Sequence, residues 1–461
     1  MSSILFAGAA GEVTGSRHLL KLPQGNLLLD CGMFQGRREE ARAKSEKFLF
    51  DAAKVDAVVL SHAHIDHCGT LPLLVKKGFA GRIFATPATC QLADLLLRDS
   101  ARIQASDAHY FNKWRRPERI QPMFAEGDVD ACKARYDPRA IGIAFEPLAG
   151  VKAFFHEAGH ILGSAMVTLQ WEEAGRVRRL LFSGDLGRAG TVLLRDPWTP
   201  VASPDVLLLE STYGAREHGP TADAAASLRD AIGPVLNAGG KVLVPSFAVG
   251  RTQELIYHLA GLIDGRAIPA VPIFVDSPLA EAATKLFSLH RELMDADFHA
   301  QWQGQDPFKH AQVRFTSTKE ESQAINGVEG PAIILAASGM CENGRILHHL
   351  KHCLGDPRNL LLFVGYQAEH TLGRRLRDGA KVAKVFGEEF PVLARVASLD
   401  DFSAHAGRSE LLAFATGLPG KPAKAWMVHG EMEGASSLAR ALRDGAGWDT
   451  EVPLMGREAE L

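Results

Sequence analysis

The sequence predicts an α/β protein organised as two domains. Short β-type runs alternate with helical patterns from end to end, the pattern that layers helices over sheets. At 461 residues the chain exceeds what one hydrophobic core comfortably fills, so two domains, or one domain carrying a large insertion, is the natural expectation. The apolar runs also stop in a regular way. NLLL is followed by Asp30, VDAVVLS by His62, VKAFFHEAG by His160, RRLLFSG by Asp185, VLLL by Glu210 and KAWMV by His429. Loops beyond strand C-termini are where α/β folds build their sites, so these strand ends mark a candidate site drawn from the whole chain.

Composition narrows the class. With 46% hydrophobic and 23% charged residues and no apolar run long enough to span a bilayer, the chain reads as an ordinary soluble enzyme with no membrane role. No basic n-region precedes a long apolar stretch at the N-terminus, so a cytoplasmic location is expected. Cys31, Cys68, Cys90, Cys132, Cys341 and Cys353 have no CxxC spacing and are expected to be reduced thiols. A net charge of -3 argues against a broad electrostatic nucleic-acid binder and leaves room for a local basic cleft. One candidate is HYFNKWRRPERIQ, from His109 to Gln121, where basic and aromatic residues interleave; it reads equally as a solvated helical cap or a substrate contact.

Along the chain, the first dense signal is SHAHIDHCG, from Ser61 to Gly69. His62 and His64 are two apart in an extended loop, so their rings can project to one side and share a metal. Asp66 and His67 lie a turn further on, at the start of the helical pattern GTLPLLVKKG, and would face a second ion close by. Between about 240 and 385, VLVPSFAVGRTQEL, IILAASGMCENGRILHHL and LLFVGYQAEHTLGRRL each lead a strand-like run through small residues to a Gly-Arg pair. This puts Arg251, Arg345 and Arg374 near helix starts, where N–H groups and the helix dipole favour anions. The competing reading is a turn with an exposed charge.

SHAHIDH carries the HxHxDH signature, and with the strand-end residues in this order the chain resembles the metallo-β-lactamase superfamily over nearly its whole length. Asp30 in LLLDCG, His160 in EAGHILGS and Asp185 in FSGDLG match that fold's remaining motifs. LLLESTYG with Glu210, FSAH with His405 and VHG with His429 resemble motifs A, B and C of the β-CASP nucleases, RNA-processing enzymes that include the mRNA 3′-end cleavage subunit. The implied fold is an αββα sandwich over 1–212 and 391–461, with a β-CASP α/β domain inserted at 213–390. The implied ligands are His62, His64 and His160 for one zinc and Asp66, His67 and His429 for the other, with Asp185 bridging. Five imidazoles suit zinc and would serve magnesium poorly. Two divalent ions, less two carboxylates and a shared hydroxide, leave about one positive charge, which welcomes a phosphodiester.

The resemblance further implies His405 as the general acid at the leaving oxygen, Glu210 as the carboxylate that holds its ring, and Asp30 as a carboxylate orienting a metal-bound histidine. Asp66 and Asp185 are counted among the catalytic groups. Ser403, Arg251, Arg345 and Arg374 are the expected phosphate contacts. His370 stands where the family usually has glycine, which changes the fine shape of its loop. His18, His156, His218, His258, His348, His349 and His352 match no ligand position and are expected, for the most part, to be surface or packing residues. The implied activity is hydrolysis of single-stranded RNA with two zinc ions per chain; related enzymes are often dimers. No additional RNA-binding module is recognisable at either terminus. A DNA nuclease of the same superfamily, whose members typically lack the motif C histidine, is one alternative. An inactive RNA-binding scaffold or a small-molecule hydrolase are the others.

Overall fold

The computed structural model describes residues 1–113, 119–365, 367 and 370–461. Residues 114–118 of the basic-aromatic segment, and 366, 368 and 369 of the GYQAEH loop, therefore lie outside the described residues. The chain divides into two compact units. The first is Met1–Arg188, Asp196–Glu217 and His405–Leu461; the second is Ala189–Arg195 and His218–Ala404. The sequence pattern puts the return to the first unit at 391, whereas the compact unit resumes at His405. The difference has a physical cause: strand Arg395–Ser398 pairs in parallel with Leu360–Phe363 and so belongs to the sheet of the second unit.

The first unit holds two seven-stranded sheets. One runs, in spatial order, Glu458–Glu460, Ser3–Gly8, Arg17–Leu22, Gly25–Leu29, Ala57–Val59, Arg82–Ala85 and Tyr136–Pro138. The other runs Thr450–Glu451, Lys424–Val428, Val206–Glu210, Arg176–Phe182, Ala165–Glu173, Val151–Glu157 and Phe145–Leu148. Inner-face side chains of the two sheets form a single core: Ile4, Phe6, Leu27 and Leu29 from the first meet Phe155, Leu169, Trp171, Phe182, Leu208 and Trp426 from the second. On the outer face of the second sheet, Leu207, Leu209, Ala425 and Met427 pack with Leu411, Leu438 and Leu442 of helices Arg408–Thr416 and Met432–Ala446. This is the helix-covered, two-sheet sandwich that the continuous apolar runs predict, since strands buried on both faces have no polar side to alternate with.

Strand direction positions the site. Val151–Glu157, Arg176–Phe182, Val206–Glu210 and Lys424–Val428 all run the same way, so their C-terminal ends share one edge of the sheet. In the other sheet Gly25–Leu29 and Ala57–Val59 are parallel neighbours.

The second unit carries an all-parallel six-stranded sheet in the order Val313–Phe315, Ile273–Asp276, Ala332–Ala336, Lys241–Pro245, Leu360–Phe363, Arg395–Ser398. From Lys241–Pro245 the chain moves to one side, and after Ala332–Ala336 it crosses to the other, so strand succession reverses beside Lys241–Pro245. Its core joins Leu243, Ile334, Leu361 and Phe363 to Ile346, Leu350, Leu372 and Leu376 of two covering helices. No described helix is long and apolar enough to cross a membrane, and all six cysteines are free and buried.

The inter-sheet core sets the stability of the first unit. Replacing Trp426, which is 1% exposed, with alanine is expected to cost about 3–5 kcal/mol, read as a lowered midpoint in chemical denaturation.

Candidate metal centre

Each strand-end residue is delivered by a short, tightly bonded turn. Asp30 directly follows strand Gly25–Leu29 in a left-handed conformation, φ 58°, and His429 follows Lys424–Val428 at φ 51°. Such values are uncommon for residues other than glycine and cost about 1–2 kcal/mol, so the surroundings must hold them. They do: Ser61 N and Oγ donate to Asp30 at 2.8 and 2.9 Å, Ser16 Oγ donates to Asp30 Oδ2 at 3.1 Å, and His429 N donates to Ala9 O at 2.8 Å. After Ala57–Val59 the chain runs without regular structure to His64 and then makes the one-turn helix Ile65–Cys68, which carries Asp66 and His67. That turn is pinned by Cys31 N to His67 O at 2.7 Å and Ser16 N to Asp66 O at 2.8 Å. The approach is so close that a Cβ on residue 32 would stand 1.6 Å from Asp66 O, hence Gly32.

The side chains converge in two groups around one carboxylate. His62 Nε2 and His160 Nε2 each lie 3.1 Å from His64 Nδ1 and 3.4 Å from Asp185 Oδ2. His67 Nε2 lies 3.0 Å from His429 Nε2 and 3.2 Å from Asp185 Oδ1, and His429 Nε2 lies 3.6 Å from Asp66 Oδ2. Two nitrogens bound to one tetrahedral zinc at 2.0–2.1 Å would stand about 3.3 Å apart, close to the 3.1 Å between nitrogens in the first group. Asp185 thus turns one oxygen to each group, the geometry of a bridge.

The donor chemistry fits metal binding. Asp185 Oδ1 is buried and accepts no hydrogen bond among the described residues, although two imidazoles face it. Burial, reinforced by repulsion from His67, pushes His62 down to about 3, and burial pushes His64 down to about 4, so both rings offer lone pairs at neutral pH. His67 shows the complementary pressure. Burial alone would lower it, yet Asp185 and Asp30 drive it well above its ordinary value, so the carboxylates are short of positive charge. Asp30 Oδ2 lies 2.7 Å from His67 Nδ1, which holds that ring with Nε2 toward Asp185 and His429.

A third group adjoins these. Glu210, fully buried, accepts from Leu186 N at 2.7 Å and Thr212 N at 3.2 Å and faces His405 Nδ1 at 3.2 Å. Burial opposes charge on His405, but Glu210 first, and then Asp185 and Asp66, raise it to about 9.

The structure therefore brings His62, His64, Asp66, His67, His160, Asp185, Glu210, His405, His429 and Asp30 together within the first unit. The three arginines are different. Each does lie near a helix start, but Arg251 bonds Glu254 Oε2 at 2.5 Å, Arg374 bonds Asp378 Oδ2 at 2.7 Å, and Arg345 bonds buried Asp276 Oδ1 at 2.7 Å with the carbonyls of Thr316 and Ser317. Each guanidinium faces a carboxylate. Ser403 lies in the second unit, its N–H donating to Asp400 O at 3.3 Å. His370 is exposed at φ 68°, a conformation glycine adopts without strain.

Sequence patterning missed Ser61, whose Oγ lies 3.0 Å from His62 Nδ1, and Thr212, whose Oγ1 lies 3.2 Å from His429 Nδ1. Both directly follow a strand or strand-end residue, the one signal available. It also undervalued His349. That ring is fully buried and meets Asp276 Oδ2 at 2.7 Å, so it belongs to a polar cluster and is not simple packing.

Models of known families match three parts of the chain. The metallo-beta-lactamase superfamily model matches residues 14–235, the Beta-Casp domain model residues 252–376, and the model of the Zn-dependent metallo-hydrolase RNA specificity domain residues 389–453. Ribonuclease TTHA0252 of Thermus thermophilus is 40% identical over 436 residues, covering 94% of each chain. The chain belongs to the metallo-β-lactamase superfamily. The chain is similar also to an RNase J-like protein of Methanocaldococcus jannaschii, 31% identical over 99% of both chains. The transcription termination factor FttA of the same organism is 31% identical, covering 98% of this chain and 70% of that one. A crystal structure of a protein of unknown function from Enterococcus faecalis superposes with a TM-score of 0.58 at 11% identity over both whole chains, a likeness of fold alone. The metallo-β-lactamase resemblance read from the motifs is thus borne out.

Two outcomes follow for this metallo-β-lactamase site. Asp185→Ala is expected to lose metal from both groups, and Asp30→Ala to weaken metal affinity about 10–100-fold, measured by plasma mass spectrometry after dialysis against graded chelator. Arg345→Ala takes the guanidinium from Asp276, which is 0% exposed and keeps His349, Thr316 and Ser322 as partners, and is expected to lower the melting temperature with the metal content unchanged.

Proposed function

We propose that the protein is a zinc-dependent ribonuclease that hydrolyses phosphodiester bonds of single-stranded RNA in RNA processing or decay. The observation that carries this reading is the carboxylate of Asp185 set between two imidazole groups, with the Glu210–His405 pair beside it. His62, His64, His160 and Asp185 would hold one zinc; Asp66, His67, His429 and Asp185 would hold the second. When bound, such ions supply a nucleophile at neutral pH by acidifying water and offer positive charge to a phosphodiester.

The chain's own residues do the rest. Asp30 fixes His67 by its Nδ1, so that Nε2 is presented in one orientation. Glu210 occupies Nδ1 of His405 and favours its charged form, leaving Nε2 to deliver a proton to the leaving oxygen. A small-molecule hydrolase has no need of that proton donor or of a six-stranded second unit. The retained His429 favours RNA over DNA, and the complete ligand set speaks against an inactive scaffold. Ser403 is the proposed phosphate contact. Action in the cytoplasm, where six free thiols stay reduced, and assembly as a homodimer complete the reading.

Purified protein is expected to cleave single-stranded RNA in preference to matched DNA, to lose activity with zinc chelation and regain it with zinc. His405→Ala should lower kcat about 10²–10⁴-fold at unchanged metal content. The pH profile carries a sign. His405 must be protonated to act, and Glu210 raises its pKa, so Glu210→Gln should move the basic limb of kcat downward by about one pH unit or more. A basic limb that stays in place would remove His405 as the acid.

A further inference from the structure

The second unit contains an exposed aromatic ring that neither its core nor the metal chemistry explains. Phe247 lies two residues beyond strand Lys241–Pro245 and is 44% exposed. The loops after Ala332–Ala336 and Leu360–Phe363, on the neighbouring strands, leave the sheet at the same end. This is where strand succession reverses, and in open parallel sheets ligands bind outside the C-terminal strand ends at such a reversal.

The ring is braced rather than loose. A Cβ built on Gly339 would stand 2.9 Å from Phe247 Cε2, 3.0 Å from Cδ2 and 3.2 Å from Cζ. Three consecutive ring atoms at nearly one distance mean an approach over the face, because an approach in the ring plane would leave the outer two far behind. Gly365 flanks the same Cε2, its Cβ position 4.0 Å away. Glycine backbone therefore supports one face of the ring. The support is itself fixed: Gln367 Nε2 donates to Gly339 O at 2.9 Å, and Thr252 Oγ1 donates to Phe247 O at 2.7 Å. An aliphatic side chain would serve an apolar partner equally well. A rigid, backed, half-exposed aromatic plane instead suits another plane.

We propose that Phe247, laid against Gly339 at the reversal point of the second unit's sheet, is a stacking platform for one nucleobase of the RNA. This deepens the ribonuclease reading and rests on it. Stacking of this kind accepts every base, since each has a π face, and so sets affinity without setting sequence.

The test uses full-length enzyme on a single-stranded RNA and on copies of it lacking one base at successive positions. Phe247→Ala should raise KM about tenfold on intact RNA with kcat little changed, and Phe247→Trp should retain the wild-type KM. Removing one particular base should reproduce that loss in the wild type and add nothing to Phe247→Ala. A wild-type KM in Phe247→Ala, or a loss equal on every substrate including each abasic one, overturns the platform while leaving the ribonuclease intact. Wild-type protein that neither binds nor cleaves RNA overturns the ribonuclease reading and the platform with it.

Discussion

The carboxylate of Asp185 is the interaction on which the site depends. Its Oδ2 faces His62 and His160, and its Oδ1 faces His67 and His429, so one side chain fixes the separation of two ligand groups from distant parts of the chain. A buried carboxylate among imidazoles is costly unless positive charge is supplied. Asp185 is held well below the ordinary carboxylate range, against burial, by His429, His67 and His62. The neighbouring rings respond unequally: burial takes His62 and His160 down although Asp185 pulls them up, whereas Asp185 and Asp30 carry His67 up against burial. A protein that merely packed these residues would have no reason to keep them together.

Everything around that carboxylate serves to keep its neighbours still. The six strand ends reach one another only because four strands of one sheet run in the same direction and two of the other run parallel. The inter-sheet core, with Trp171, Phe182 and Trp426 fully buried, fixes the spacing of those ends. Polar bonds then set the rings: Asp30 on His67, Ser61 on His62, Thr212 on His429 and Glu210 on His405. The positive φ at Asp30 and His429 is the local strain that this arrangement sustains.

Much of this was legible in the sequence, for identifiable reasons. Strands buried on both faces read as unbroken apolar runs, so their ends, and the acids and histidines after them, could be located without a structure. Four ligand-type residues from His62 to His67 were dense enough to signal metal by themselves. His405 was not legible in that way, since FSAH follows no apolar run; only the motif resemblance marked it. The short, partly polar strand Arg395–Ser398 gave no sign that it pairs with Leu360–Phe363. The partners of the three arginines were unequally legible. Glu254 and Asp378, which neutralise Arg251 and Arg374, stand three and four residues away and were open to view. Asp276, which claims Arg345, is 69 positions distant and could be found only in three dimensions.

The first unit is discontinuous, and this has a consequence for timing. His67 and His429, which face each other at 3.0 Å, are separated by 362 positions, and the whole second unit is synthesised between them. A chain emerging from the ribosome would display the SHAHIDH ligands long before His405 and His429 exist, at a rate of about 5–20 residues per second. During that interval the nascent protein would lack His429 from the group with Asp66 and His67, and His405 from beside Glu210. Neither grouping can close until the last segment of the first unit has been made.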